Sequence, residues 1–62
     1  MTAQNYHNET VDFRVDNKVN HVTDEGTIVA GTIRGTVAPD LLEIAFDDGD
    51  EGTEKAATCY HP

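Results

Sequence analysis

Six carboxylates fall between positions 43 and 54: Glu43, Asp47, Asp48, Asp50, Glu51 and Glu54, with Lys55 the only adjoining base. Calcium chemistry needs oxygen ligands at alternating loop positions, a glycine at the sixth and a glutamate at the twelfth. Counted from Asp47, the sixth is Gly52, but the third is Gly49 and the twelfth is Thr58, so the pattern fails and the run reads as a charged hairpin turn. General acid–base work needs carboxyl groups in differently buried settings, which a solvated loop does not supply. The remaining chemistry is electrostatic, and these six residues are expected to meet a basic surface on another protein.

Other reactive types are sparse. Cys59 and His61 offer one soft and one imidazole ligand, whereas a closed zinc site needs four, and His7 and His21 could join them only through folding or between chains. Cys59 is the single cysteine, so no internal disulfide is possible, and it has no nearby positive charge to lower its pKa. The chain has no serine. No glycine loop followed by a helix is present to cradle a phosphate. The expectation is a non-enzymatic protein with no catalytic residue, no metal and no cofactor.

Charge narrows the partners. Twelve acidic residues against four basic ones give −8, and protonating all three histidines leaves −8 + 3 = −5. Arg14, Lys18, Arg34 and Lys55 are scattered singly, which disfavours direct binding to nucleic acid or to an anionic membrane. No stretch approaches the roughly 18 apolar residues of a membrane span, and the first residues lack a signal peptide's basic start and apolar centre. A cytoplasmic location is expected. The acidity has three readings: solubility or adaptation to high salt, complementarity to a basic partner, and imitation of DNA's charge by an inhibitor from a phage or mobile element. A chain of 62 residues also has a thin core, so self-association around an interfacial site is a further alternative.

The elements that must position these residues are strands. Residues 1–10 are polar and aperiodic and are expected to be a loose arm that could still add an edge strand, and residues 11–62 form the domain. Val11, Phe13 and Val15 alternate with polar neighbours and are expected on one face, followed by a turn at Asp16-Asn17. KVNHV, residues 18–22, alternates again, setting Val19 and His21 against Lys18, Asn20 and Val22. In GTIVAGTIRGTV, residues 26–37, a bulge at Gly31 would bring Ile28, Ile33 and Val37 to one side. Ala38-Pro39-Asp40 turns the chain into LLEIAF, residues 41–46, whose Leu42, Ile44 and Phe46 are expected to centre the core. Asp48-Gly49 marks the next hairpin, residues 52–57 a weaker strand, and Cys59 and Tyr60 close one end. No helical period runs over ten positions, so the fold class is all-β, a small barrel of about five short strands.

From Phe13 onward the order of signals resembles an SH3-like or Tudor-like barrel. FRVDNKVNH (13–21), a turn ending at Gly26, the bent GTIVAGTI strand, LEIAFDDG and CYHP are similar to the Tudor-like module at the C-terminus of DNA-repair helicases, where F-x-V-G-D-x-V-x-H leads to a V-x-F-D-x-G hairpin. Asp16-Asn17 stands where that family has Gly-Asp. The resemblance implies a protein-docking module. Methyl-lysine reading by other Tudor-like domains implies an aromatic cage, for which Tyr6, Phe13, Phe46 and Tyr60 are the whole supply. The plasmid-type dihydrofolate reductase, a tetrameric SH3-like barrel, lines its pore with Val-Gln-Ile-Tyr. The strand here, Leu42-Glu43-Ile44-Ala45-Phe46, has neither Gln nor Tyr, and that activity is not expected.

Overall fold

A computed structural model describes all of residues 1–62. Seven strands make two antiparallel sheets: β1 (Thr2–Gln4) with β2 (Thr10–Asp12), and a five-stranded sheet of β3 (Lys18–Val22), β4 (Ile28–Ala38), β5 (Leu41–Phe46), β6 (Glu51–Lys55) and β7 (Cys59–Tyr60) in the order β6-β5-β4-β3-β7. The all-β expectation holds. The larger sheet does not close on itself by hydrogen bonds, and its ends are β6 and β7.

Side chains alternate across a strand, so the period-two patterns decide the core. Val19, Ile33, Leu42 and Ile44 are buried together with Phe13, Ala56 and Cys59. Met1, Ala3, Val11 and Phe46 pack against that cluster, so the β1–β2 hairpin serves as its lid. Burying a large apolar side chain contributes about 1.5–3 kcal/mol, and Phe13, Val19, Ile33, Leu42 and Ile44 supply most of that driving force.

The first ten residues are tied down. The Met1 backbone nitrogen donates to the Phe13 carbonyl at 2.8 Å and to Asp12 Oδ1 at 3.1 Å. Asn5 is buried in the β1–β2 connection, where its Oδ1 accepts from the backbone N–H groups of His7 and Glu9, each at 2.9 Å. The Tyr6 N–H donates to the Cys59 carbonyl at 2.9 Å, so this segment covers the outer edge of β7. No corresponding segment covers β6, which pairs only with β5.

Four expectations are corrected. Phe46 does not centre the core with Leu42 and Ile44: at the end of β5, beside the 47–50 hairpin, it is half-buried, packs against the core cluster and borders an open groove. Val15 does not share the core face of Phe13 but stands 53% exposed: β2 ends at Asp12, and Val15 lies with Asp16, at φ 74°, in a turn closed by hydrogen bonds between Arg14 and Asn17. Gly31 is not a bulge. The shifts in register fall between Ile33 and Gly35 and between Thr36 and Ala38, leaving Ile28 and Val37 exposed while Ile33 is buried. Ala56 and Ala57 do not continue a strand over 52–57; with Thr58 they form one 3₁₀ turn that brings the chain back to pair β7 with β3.

No helix is long and apolar enough to cross a membrane.

Candidate binding groove

Directly opposed residues of antiparallel strands share a face. Leu42 opposes Glu54 and Ile44 opposes Gly52, so Glu54 projects on the core side of β6, whereas Glu43, opposite Thr53, lies on the other side of the sheet. His21 is on the same inner face, one residue pair beyond Val19, opposite Val29 of β4 and Cys59 of β7. These strands leave a groove of about 270 Å³ between the 47–50 hairpin and β3.

Four of the six expected acidic residues, Asp48, Asp50, Glu51 and Glu54, border it, and no Lys or Arg does; Glu51 opposes Ala45 and so turns its carboxylate to the face of Glu43, which leaves Asp48, Asp50 and Glu54 to supply the charge. His21, Val29 and Phe46 supply its other side. Glu43 is excluded by its face. Asp47 is exposed at the hairpin, where its backbone N–H donates to the Ala30 carbonyl at 2.9 Å, and it does not line the groove. Asp48 Oδ1 accepts from the Asp50 N–H at 3.0 Å, and Gly49 at φ 98° completes the turn. That bond fixes the hairpin on which the acidic residues stand.

At the base, Glu54, His21, Thr58 and Cys59 form a chain of contacts. Glu54 Oε2 lies 3.6 Å from His21 Nε2. On the opposite nitrogen, His21 Nδ1 is 2.9 Å from Thr58 Oγ1 and 3.9 Å from Cys59 Sγ. Because the thiol and the carboxylate meet opposite nitrogens of the ring, the three do not converge on one point where a metal could sit. Burial pushes the Cys59 thiol above its usual range, the adjacent Thr58 hydroxyl acts in the opposite direction, and the charge of Glu54 adds to the rise. A neutral thiol with no exposed surface is a core group and a poor nucleophile. His61, offered by the sequence as its metal-ligand partner, points elsewhere: its Nε2 is 3.0 Å from Asn17 Oδ1 and its ring stacks on Phe13 at 5.0 Å.

The aromatic residues do not surround a common space. Tyr6, His7 and Tyr60 pack on one another with centroids 4.7–6.1 Å apart, Phe13 is buried beneath His61, and Phe46 faces His21 at 5.9 Å.

Comparison with protein-family models, with curated proteins and with solved structures finds no match to the chain.

His21 is the groove residue that acid-counting misses. Its signal lies in KVNHV, where alternation places a histidine beside Val19 on the apolar face; a polar ring there needs a partner, and here Thr58 supplies one, with Glu54 close to the other nitrogen.

Proposed function

We propose that the chain is a non-enzymatic interaction module, an SH3-like or Tudor-like variant with an open sheet, that binds a basic surface of another protein through this groove. The observation that supports it is the lining itself: Asp48, Asp50 and Glu54 offer their carboxylates there, and no Lys or Arg borders the groove. One-signed walls around a recess concentrate the field and draw in an oppositely charged group. Imitation of nucleic acid would want the carboxylates in one row, and Glu43 and Glu54 on opposite faces do not provide it. Self-association would have to draw on the exposed apolar side chains, Tyr6, Val15, Ile28 and Val37, or on the uncovered edge of β6.

The test is an NMR titration with hexalysine at low and raised salt, on the natural sequence and on Asp48→Asn with Asp50→Asn. Exposed ion pairs contribute about 0.2–1 kcal/mol each, so the double variant is expected to bind about two- to thirtyfold more weakly, with shifts confined to the groove. Salt-independent binding that survives the double substitution overturns the reading.

A further inference from the structure

Hydrogen-bond bookkeeping at the base of the groove assigns the tautomer of His21. Thr58 Oγ1 lies 2.7 Å from the Lys55 carbonyl oxygen, which can only accept, so the single hydroxyl proton is given there. The same oxygen is 2.9 Å from His21 Nδ1 and, with its proton committed, must accept. Nδ1 therefore carries the hydrogen, and Nε2 of the neutral ring is a bare acceptor.

That acceptor is unsatisfied. Glu54 Oε2, a second acceptor, lies 3.6 Å away and outside hydrogen-bond range. His21 is more than nine-tenths buried. Since no fully buried side-chain nitrogen or oxygen lacks a partner, Nε2 keeps some accessible surface, where His21 and Glu54 together border both this groove and an adjoining recess lined by Thr53, Lys55 and Thr58. Two acceptors thus face each other with no donor between them, below a rim of carboxylates.

The geometry points to a subsite for a primary ammonium group, the end of an unmodified lysine side chain, held between His21 Nε2 and the Glu54 carboxylate. This deepens the basic-partner reading and rests on it. An ammonium carries three N–H donors on a compact centre, so it can give one to each acceptor and a third toward the rim. A guanidinium presents its donors in a flat fork suited to two oxygens of one carboxylate, which is not the pairing here. Val29 and Phe46 offer apolar surface to the methylene stem, and a cation near the Phe46 ring gains from its negative face. A trimethylated lysine keeps the charge but has no N–H, and this site has no aromatic cage to replace the lost bonds.

Two peptides of equal length and charge, one with lysine and one with trimethyl-lysine at the same position, are titrated into isotope-labelled protein at mildly alkaline pH while the His21 ring nitrogens are followed. The free protein is expected to show the Nδ1–H pattern, and the lysine peptide to move Nε2 and bind about tenfold tighter or more. Glu54→Gln, a half-exposed isosteric change, is expected to remove most of that preference. An Nε2–H or doubly protonated ring in the free protein overturns the subsite, as does equal or tighter binding of the trimethyl peptide. Equal binding that still weakens with salt leaves the broader reading standing. Failure of both peptides to bind at low salt removes the broader reading too.

Discussion

The Thr58 hydroxyl stands 2.9 Å from His21 Nδ1 and gives its proton to the Lys55 carbonyl, so it holds the imidazole as an acceptor holds a donor. Thirty-seven residues separate the two in sequence, and the 3₁₀ turn at Ala56–Thr58 closes that distance. Thr58→Val keeps the shape and removes the acceptor. The ring N–H is then buried without a partner, at a cost of about 1–3 kcal/mol, or the proton moves to Nε2. Against the roughly 3–9 kcal/mol of net stability usual for a chain of this length, either loss shows as a lowered urea midpoint. Ring-nitrogen spectra of the variant are expected to show the Nε2–H form; an unchanged Nδ1–H form contradicts the assignment.

Gly31 sits where β4 packs tightly against β5. A methyl group there would lie 2.6 Å from Ile44 Cγ2 and 2.9 Å from the Ala45 carbonyl oxygen, and the latter is backbone that cannot swing away. Gly31→Ala is expected to destabilise by about 1–3 kcal/mol through overpacking. Gly35 offers the control, since a methyl there meets only the Glu43 side chain at 3.7 Å or beyond. Gly35→Ala is expected to be neutral to slightly stabilising, through lower entropy of the unfolded chain. Equal urea midpoints for the two variants would contradict the close approach.

The difference between those glycines shows where sequence reading stops. KVNHV and LLEIAF were legible because period-two alternation maps directly onto faces, and Val19, His21, Leu42 and Ile44 are buried as that rule requires. Within GTIVAGTIRGTV the spacing allows a bulge at Gly31, but only the register against β5 reveals that Ile44 and Phe46 occupy the space a side chain would need. Val15 continued the alternation on paper, but it sits inside the turn that the Asn17 N–H closes on the Arg14 carbonyl. Among the acidic residues, nearness in sequence concealed a parity rule: Leu42 opposes Glu54, so Glu43 must face the other way. His21 and Thr58 have no local signal joining them.

Register also predicts which amides of β6 exchange. The Phe46 N–H bonds to the Asp50 carbonyl and the Ala56 N–H to the Asp40 carbonyl, each at 2.8 Å, which sets the ladder's phase at both ends. Bonded pairs alternate in an antiparallel ladder, so Gly52 and Glu54 direct their N–H groups toward β5, and Glu51 and Thr53 direct theirs to the uncovered edge. Hydrogen exchange is expected to be slow at Gly52 and Glu54 and fast at Glu51 and Thr53. Comparable protection at all four would mean that a further strand covers this edge, and dilution would then show whether it comes from a second copy.

Cys59 predicts alkaline instability. Burial raises the thiol pKa in the folded chain, so at alkaline pH the unfolded chain loses this proton before the folded chain does. Bound protons then favour the folded side, and stability falls as pH rises. The stabilising contribution is complete below the unfolded thiol value of about 8.5 and is lost as pH climbs from there toward the folded value, by up to about 1.4 kcal/mol per unit. Cys59→Ala removes the titrating group while leaving every carboxylate, lysine and tyrosine in place. The variant is expected to be the less stable at neutral pH because it leaves core space unfilled, with a gap that narrows above about pH 8.5. Urea unfolding of both proteins across that range measures the gap directly. A gap independent of pH would mean that the folded thiol ionises as an exposed one does, which contradicts a side chain with no accessible surface.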